Sequence, residues 1–213
     1  MFNREKISEK IKKHNGLSWF SDQYKLIYLA IPKTASTSIR AYLNNLKNAM
    51  DLNNITSNKD GYVTFTIIRE PVERFVSGVM ESFKRIETPE KLKNLSKVKN
   101  TTDMLEQYLN ILEVDGFIET HITPQLFYMS NSDGELFHID EILLFENLSH
   151  DFKIMAEKYN LPPTLPHKWK NNDNRRSEML SIVRNNENIK NRVLKLYEDD
   201  FNLYNKIKES KNG

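Results

Sequence analysis

Tyr24-Lys25-Leu26-Ile27-Tyr28-Leu29-Ala30-Ile31-Pro32-Lys33-Thr34-Ala35-Ser36-Thr37-Ser38-Ile39 changes its pattern once, at Pro32. Before the proline the run is apolar and rich in Leu, Ile and Tyr, as expected of a parallel strand buried on both faces. From Ser36 onward the apolar positions Ile39, Tyr42, Leu43 and Leu46 recur at helical spacing. The stretch therefore reads as strand, short loop, helix. Residues Tyr62 to Ile68 repeat the theme: a strand is ended by Arg69, and Pro71 stands at a favourable first helical position. The second helix is expected to carry Val72, Phe75, Val76, Val79, Phe83 and Ile86 on its buried face.

Further along, Leu126 to Met129 and Glu141 to Phe145 read as strands, and Leu148 to Tyr159 and Ile189 to Ile207 as helices. Strands alternating with helices predict an α/β fold with a mainly parallel central sheet flanked by helices. The chain has 213 residues, 38% hydrophobic, and shows no repeat or Pro/Gly/Ser linker. One domain over residues 1–213 is expected, with 1–22 as a peripheral N-terminal segment.

Composition excludes several classes. The 31 basic and 29 acidic residues leave a formal charge of +2, so no global field points to nucleic acid or an anionic membrane. No cysteine is present, which removes disulfides, thiolate nucleophiles and cysteine-bound zinc. The longest apolar run, Leu26 to Ile31, is far below the roughly 20 residues of a membrane span. A soluble, cytoplasmic protein is expected.

The loop between the first strand and helix has the chemistry of an anion site. Pro32, Lys33, Thr34, Ala35, Ser36, Thr37 and Ser38 offer one ammonium, four hydroxyls and a row of amides at a helix N-terminus. It lacks the glycines of the nucleotide loop G-x-x-x-x-G-K-[ST], in which the lysine also comes last, so a kinase is disfavoured. A Ser/Thr-rich turn can also be a simple helix cap. The second junction, Ile68-Arg69-Glu70-Pro71-Val72-Glu73-Arg74-Phe75-Val76-Ser77-Gly78, offers a planar guanidinium at a strand end and a hydroxyl from the next helix. Alternatively, Arg69 pairs with Glu70 or Glu73, and Ser77-Gly78 is a small packing pair.

The segment IPKTASTSI resembles the 5'-phosphosulfate loop of sulfotransferases that use 3'-phosphoadenosine 5'-phosphosulfate (PAPS), and is most similar to that of the uronyl 2-O-sulfotransferases. The Arg69 segment resembles the 3'-phosphate segment of the same enzymes, with Arg69 and Ser77 on the matching positions. The resemblance implies the P-loop-like sulfotransferase fold. It also implies PAPS as donor, adenosine 3',5'-bisphosphate as product, no metal, and a hydroxyl acceptor expected to be a saccharide. Lys33 is expected to stabilise the leaving 5'-phosphate. The loop beginning Leu165-Pro166-His167 resembles one that closes over the nucleotide. Its Lys168, Trp169 and Arg175 either cover the adenosine bisphosphate or belong to a surface loop.

A base is needed for the acceptor hydroxyl. The paired histidines of the uronyl enzymes have no counterpart, because no histidine lies between Lys33 and Arg69. His121-Ile122-Thr123-Pro124-Gln125 resembles the H-x-x-P-Q segment of Golgi carbohydrate sulfotransferases, which makes His121 the candidate, with Glu119 and Glu81 in reserve. His14, His138, His150 and His167 show no metal-site spacing with Asp or Glu. Lys84 to Lys99 either steers an anionic glycan or is a solvated face. The alternative readings are a catalytically silent PAPS-binding module and a small-molecule kinase.

Overall fold

The structure, a computed structural model, describes residues 4–12, 17–45, 49–52, 61–165 and 174–212. Five strands, β1 (Leu17–Ser21), β2 (Leu26–Ala30), β3 (Ala49–Leu52), β4 (Val63–Ile68) and β5 (Glu141–Leu144), form one sheet in the order β3-β1-β2-β4-β5. Strands β2, β4 and β5 run parallel, and β1 and β3 add an antiparallel edge. The helices are α1 (Glu9–Lys12), α2 (Ser36–Asn45), α3 (Pro71–Ser82), α4 (Glu90–Lys93), α5 (Thr101–Asp115), α6 (Gln125–Tyr128), α7 (Leu148–Lys158), α8 (Asn174–Asn185), α9 (Glu187–Leu196) and α10 (Glu198–Asn212).

Both faces of β2 are covered, by α2 and α7 on one side and by Phe137 and Ile139 against Ile27 and Leu29 on the other, which is why it is an apolar run, whereas β4 alternates the buried Thr64 and Thr66 with apolar residues. On one face Ile39, Tyr42 and Leu43 of α2 and Phe152, Met155 and Ala156 of α7 pack against Trp19, Tyr28, Phe65 and Ile67. Tyr28 and Phe65 face each other across the β2–β4 pair, their rings stacked at 4.9 Å. On the other face α3, α5, α8, α9 and α10 close a larger core around Ile68, Phe75, Val79, Tyr108, Leu109, Met179, Val183 and Tyr197.

Four expectations are corrected. Leu126 to Met129 is not a strand: Pro124 starts the helical turn α6, and the Asp200 carboxylate accepts the amides of Gln125 and Leu126 at 2.7 and 3.1 Å. A short apolar run has no period that tells strand from helix, so a distant carboxylate decides. The helix expected over Ile189 to Ile207 is two, α9 and α10, parted at Tyr197. That ring is fixed between Phe75 and Phe117, at 5.8 and 5.4 Å. Ile86 is 88% exposed because α3 stops at Ser82. The N-terminal segment expected to be peripheral is structural: β1 lies inside the sheet, and Ile7 and Ile11 are buried in the larger core.

Candidate active site

Because β2 and β4 are parallel neighbours, their following loops emerge side by side at the carboxyl edge of the sheet. In the first loop Lys33 and Ala35 have φ of 69° and 66°, the left-handed region, while Thr34 between them does not. Such alternation turns successive backbone N–H groups toward one side and forms an anion-binding concavity. Without glycine each left-handed residue costs on the order of 1–3 kcal/mol, strain that is typical of binding sites. The carbonyl of Ala35 accepts the amides of Ser38 and Ile39 at 2.9 and 3.1 Å and starts α2. Ser36 and Thr37 therefore sit in its first turn, where amides have no carbonyl within the helix.

The Thr34 hydroxyl differs from the expectation. It is buried and donates to Ile31 O at 2.8 Å, bracing the loop from beneath. Only its amide is left to an anion. Lys33 Nζ donates to Glu81 Oε2 at 3.1 Å.

The second loop is built by Glu70, whose carboxylate accepts the amides of Val72 and Glu73 at 3.0 and 2.9 Å and caps α3 above Pro71. Arg69 beside it is 11% exposed in its side chain. Its Nη1 donates to the carbonyl of Lys33 at 3.2 Å, its Nη2 lies 3.3 Å from Glu73, and its plane covers the Phe145 ring at 4.2 Å. Its Nε is buried without a hydrogen-bond partner. Arg74, also buried, donates from Nε to the carbonyl of Pro32 at 3.1 Å. Two arginines of the second junction thus hold the first.

Glu73, Ser77 and Glu81 follow Arg69 at intervals of four, so they lie along one half-buried stripe of α3. Glu73 holds Arg69 and Glu81 holds Lys33, about 12 Å apart along the axis by helical rise. Ser77 stands midway. The pairing of Arg69 with Glu73, one of the simpler readings of the sequence, is therefore present. Glu73 also receives Arg176 and, at 3.0 Å, Arg184 from α8. Neither was singled out in the sequence, and no local signal shows that α8 docks on α3.

Arg175 points elsewhere: it donates to the carbonyls of Ser96 and Val98 at 3.0 Å each and covers Phe83. Lys168, His167 and Trp169 lie outside the described residues, as does His14.

The segment Glu119–Thr123 crosses α3 at Gly78, where a Cβ would run into the carbonyl oxygen of His121. Gly78 is thus the packing residue that Ser77-Gly78 also suggested, and it lets the His121 backbone lie against α3 one residue past Ser77. The Nδ1 of His121 lies 2.6 Å from Glu119 Oε1, and Glu119 Oε2 accepts the His121 amide at 2.7 Å. Thr123 donates to Glu119 O at 2.9 Å, and the Tyr128 and Tyr197 hydroxyls donate to Thr120 O and Ile122 O at 2.6 Å each. The turn carrying His121 is held from several sides.

The family model described as "Sulfotransferase family" matches residues 18–206. The chain belongs to the sulfotransferase family. No curated protein and no solved structure matches it. Membership makes this a transferase of the sulfuryl group to a hydroxyl-bearing acceptor, and the match spans both junctions, the His121 turn and α8. Among the described residues no group of three or more His, Asp or Glu side chains is arranged to hold a metal ion. None of its described helices is long and apolar enough to cross a membrane.

Of the three candidate bases in this sulfotransferase, Glu119 is spent on His121, and electrostatics set Glu81 apart. Burial pushes the Glu81 carboxyl up, but Lys33 and Arg85 outweigh it and hold the group down at about 2. A carboxylate so stabilised is a poor proton acceptor. The imidazole of His121 instead has Glu119 on Nδ1, an arrangement that leaves Nε2 as the proton-accepting atom when Nδ1 carries the hydrogen.

Proposed function

We propose that the protein transfers the sulfuryl group of PAPS to a hydroxyl of a carbohydrate. The observation that carries this reading is the contact of Arg69 with Lys33 O, which couples two cation-bearing loops at one sheet edge. Their charged ends are held at positions two turns apart on α3. A donor with phosphates at its 3' and 5' ends fits that spacing, with its 3'-phosphate at Arg69 and Ser77 and its 5'-phosphosulfate on the amides of residues 34–37. Arg69 Nε, buried and unpartnered, supports an acceptor arriving beside it. The guanidinium also has its pKa lowered, chiefly by burial, against the opposing effect of Glu73.

The acceptor oxygen attacks sulfur in line and forms the new S–O bond. The bond from sulfur to the bridging oxygen breaks, and its electron pair leaves with the 5'-phosphate of adenosine 3',5'-bisphosphate. Lys33, exchanging Glu81 for that oxygen, stabilises the growing charge. The hydroxyl proton passes to Nε2 of His121, while Glu119 holds the ring and balances the imidazolium.

The test is transfer of labelled sulfate from PAPS to a panel of glycans and simple alcohols. Turnover on a saccharide that falls in Lys33→Ala more than nucleotide affinity does is the expected result. Tight nucleotide binding with no turnover on any acceptor would reduce the protein to a binding module. Tight magnesium–ATP binding that ignores the loss of Arg69 would overturn the donor assignment.

A further inference from the structure

Gln125 is 1% exposed, and both polar atoms of its side-chain amide bond the backbone of one residue. Its Oε1 accepts the Arg69 N–H at 2.9 Å and its Nε2 donates to the Arg69 carbonyl at 3.0 Å. Arg69 follows directly on the last residue of β4, where the sheet no longer supplies partners. The side chain therefore acts as one more residue of neighbouring strand. The two partners, one a donor and one an acceptor, also fix which end of the amide faces which.

Gln125 is itself anchored. Its own amide donates to Asp200 Oδ2 at 2.7 Å and that of Leu126 to Oδ1 at 3.1 Å, and Asp200 is 1% exposed. A continuous path runs from α10 through Asp200 and Gln125 to the Arg69 backbone, then through the Arg69 side chain to the carbonyl of Lys33.

We infer that Gln125, anchored by Asp200, is a positioning residue that sets the phosphate-binding edge of Arg69. The inference rests on the reading of Arg69 as the 3'-phosphate site. A planar guanidinium discriminates by direction, so a residue that fixes its backbone acts directly on recognition of the 3'-phosphate and reaches the 5'-phosphate loop only at second hand, through the Arg69 contact with Lys33 O.

The test is the ratio of affinities of the full chain for adenosine 3',5'-bisphosphate and adenosine 5'-phosphate, by calorimetric titration. In Gln125→Met and Gln125→Glu the ratio is expected to fall by about tenfold or more, the scale of a charged hydrogen bond, because affinity for adenosine 3',5'-bisphosphate falls by more than affinity for adenosine 5'-phosphate. Variants that melt earlier but keep the wild-type ratio would show a packing role and overturn the inference. If neither variant folds, Asp200→Asn carries the test: it keeps the side-chain volume and weakens the anchor, so a reduced ratio supports the inference and an unchanged one overturns it. A wild-type protein that binds both nucleotides equally would instead overturn the reading of Arg69, and the inference with it.

Discussion

Arg69 Nη1 and the carbonyl oxygen of Lys33 are 3.2 Å apart, joining residues that stand 36 positions from each other at the ends of two parallel strands. The contact makes the loops one unit: moving Arg69 moves the backbone that carries Lys33. Arg74 repeats the device one residue earlier, on Pro32 O. The strained conformations of Lys33 and Ala35 are thus held from below by two guanidinium groups, which lets a loop without glycine keep its amides turned to one side.

Arg69→Ala removes a donor pair and the brace on Lys33 O together. Affinity for adenosine 3',5'-bisphosphate is expected to fall by about 10- to 100-fold, the range for charge-assisted hydrogen bonds. Arg69→Lys keeps the charge but not the planar fork, and titration should show it recovering only part of the loss.

His121→Ala is expected to lower kcat by about 100- to 10,000-fold, as for a lost general base, with nucleotide affinity unchanged. Glu119→Gln keeps the shape and removes the charge behind the ring, so its kcat should fall less. Steady-state kinetics beside nucleotide titration separates the two effects, and a kcat equal to wild type in His121→Ala would remove it from the mechanism.

The Glu81 carboxyl is held at about 2, below its ordinary value of 4.5, because Lys33 and Arg85 outweigh the effect of burial. A group depressed in the folded state contributes stability above its unfolded pKa and loses it as pH falls through the folded one. Glu81→Gln should therefore melt earlier than wild type at pH 6, and the two melting temperatures should converge as pH falls from 4.5 toward 2. Parallel melting curves across that window would contradict the ion pair.

Gly78→Ala sets a methyl group against the carbonyl of His121. Backbone cannot yield as a flexible side chain does, so a loss of about 1–3 kcal/mol in unfolding free energy is expected from overpacking. A fall in kcat should accompany it as the turn carrying His121 is displaced. Denaturant unfolding and kinetics on the same preparation check both.

What the sequence made legible was local. Pro32 and Pro71 mark the two junctions, and the apolar positions before and after them show period and length without help from distant residues. Contacts between remote segments left no trace in the letters. Asp200 turns 125–128 into a helix from 75 residues away. Arg176 and Arg184 reach Glu73 from more than 100 residues away, while Arg175, their equal by composition, is drawn to Ser96 and Val98. The buried Thr34 hydroxyl shows the same limit: a Ser/Thr-rich loop offers hydroxyls, and only packing decides which of them turn inward.

The most direct test of the central claim is a crystal structure of the complex with adenosine 3',5'-bisphosphate. The account predicts the 3'-phosphate at the guanidinium of Arg69 and the 5'-phosphate on the amides of residues 34–37 with Lys33 Nζ beside it. A nucleotide bound away from these two loops, or with both phosphates at one of them, would contradict it.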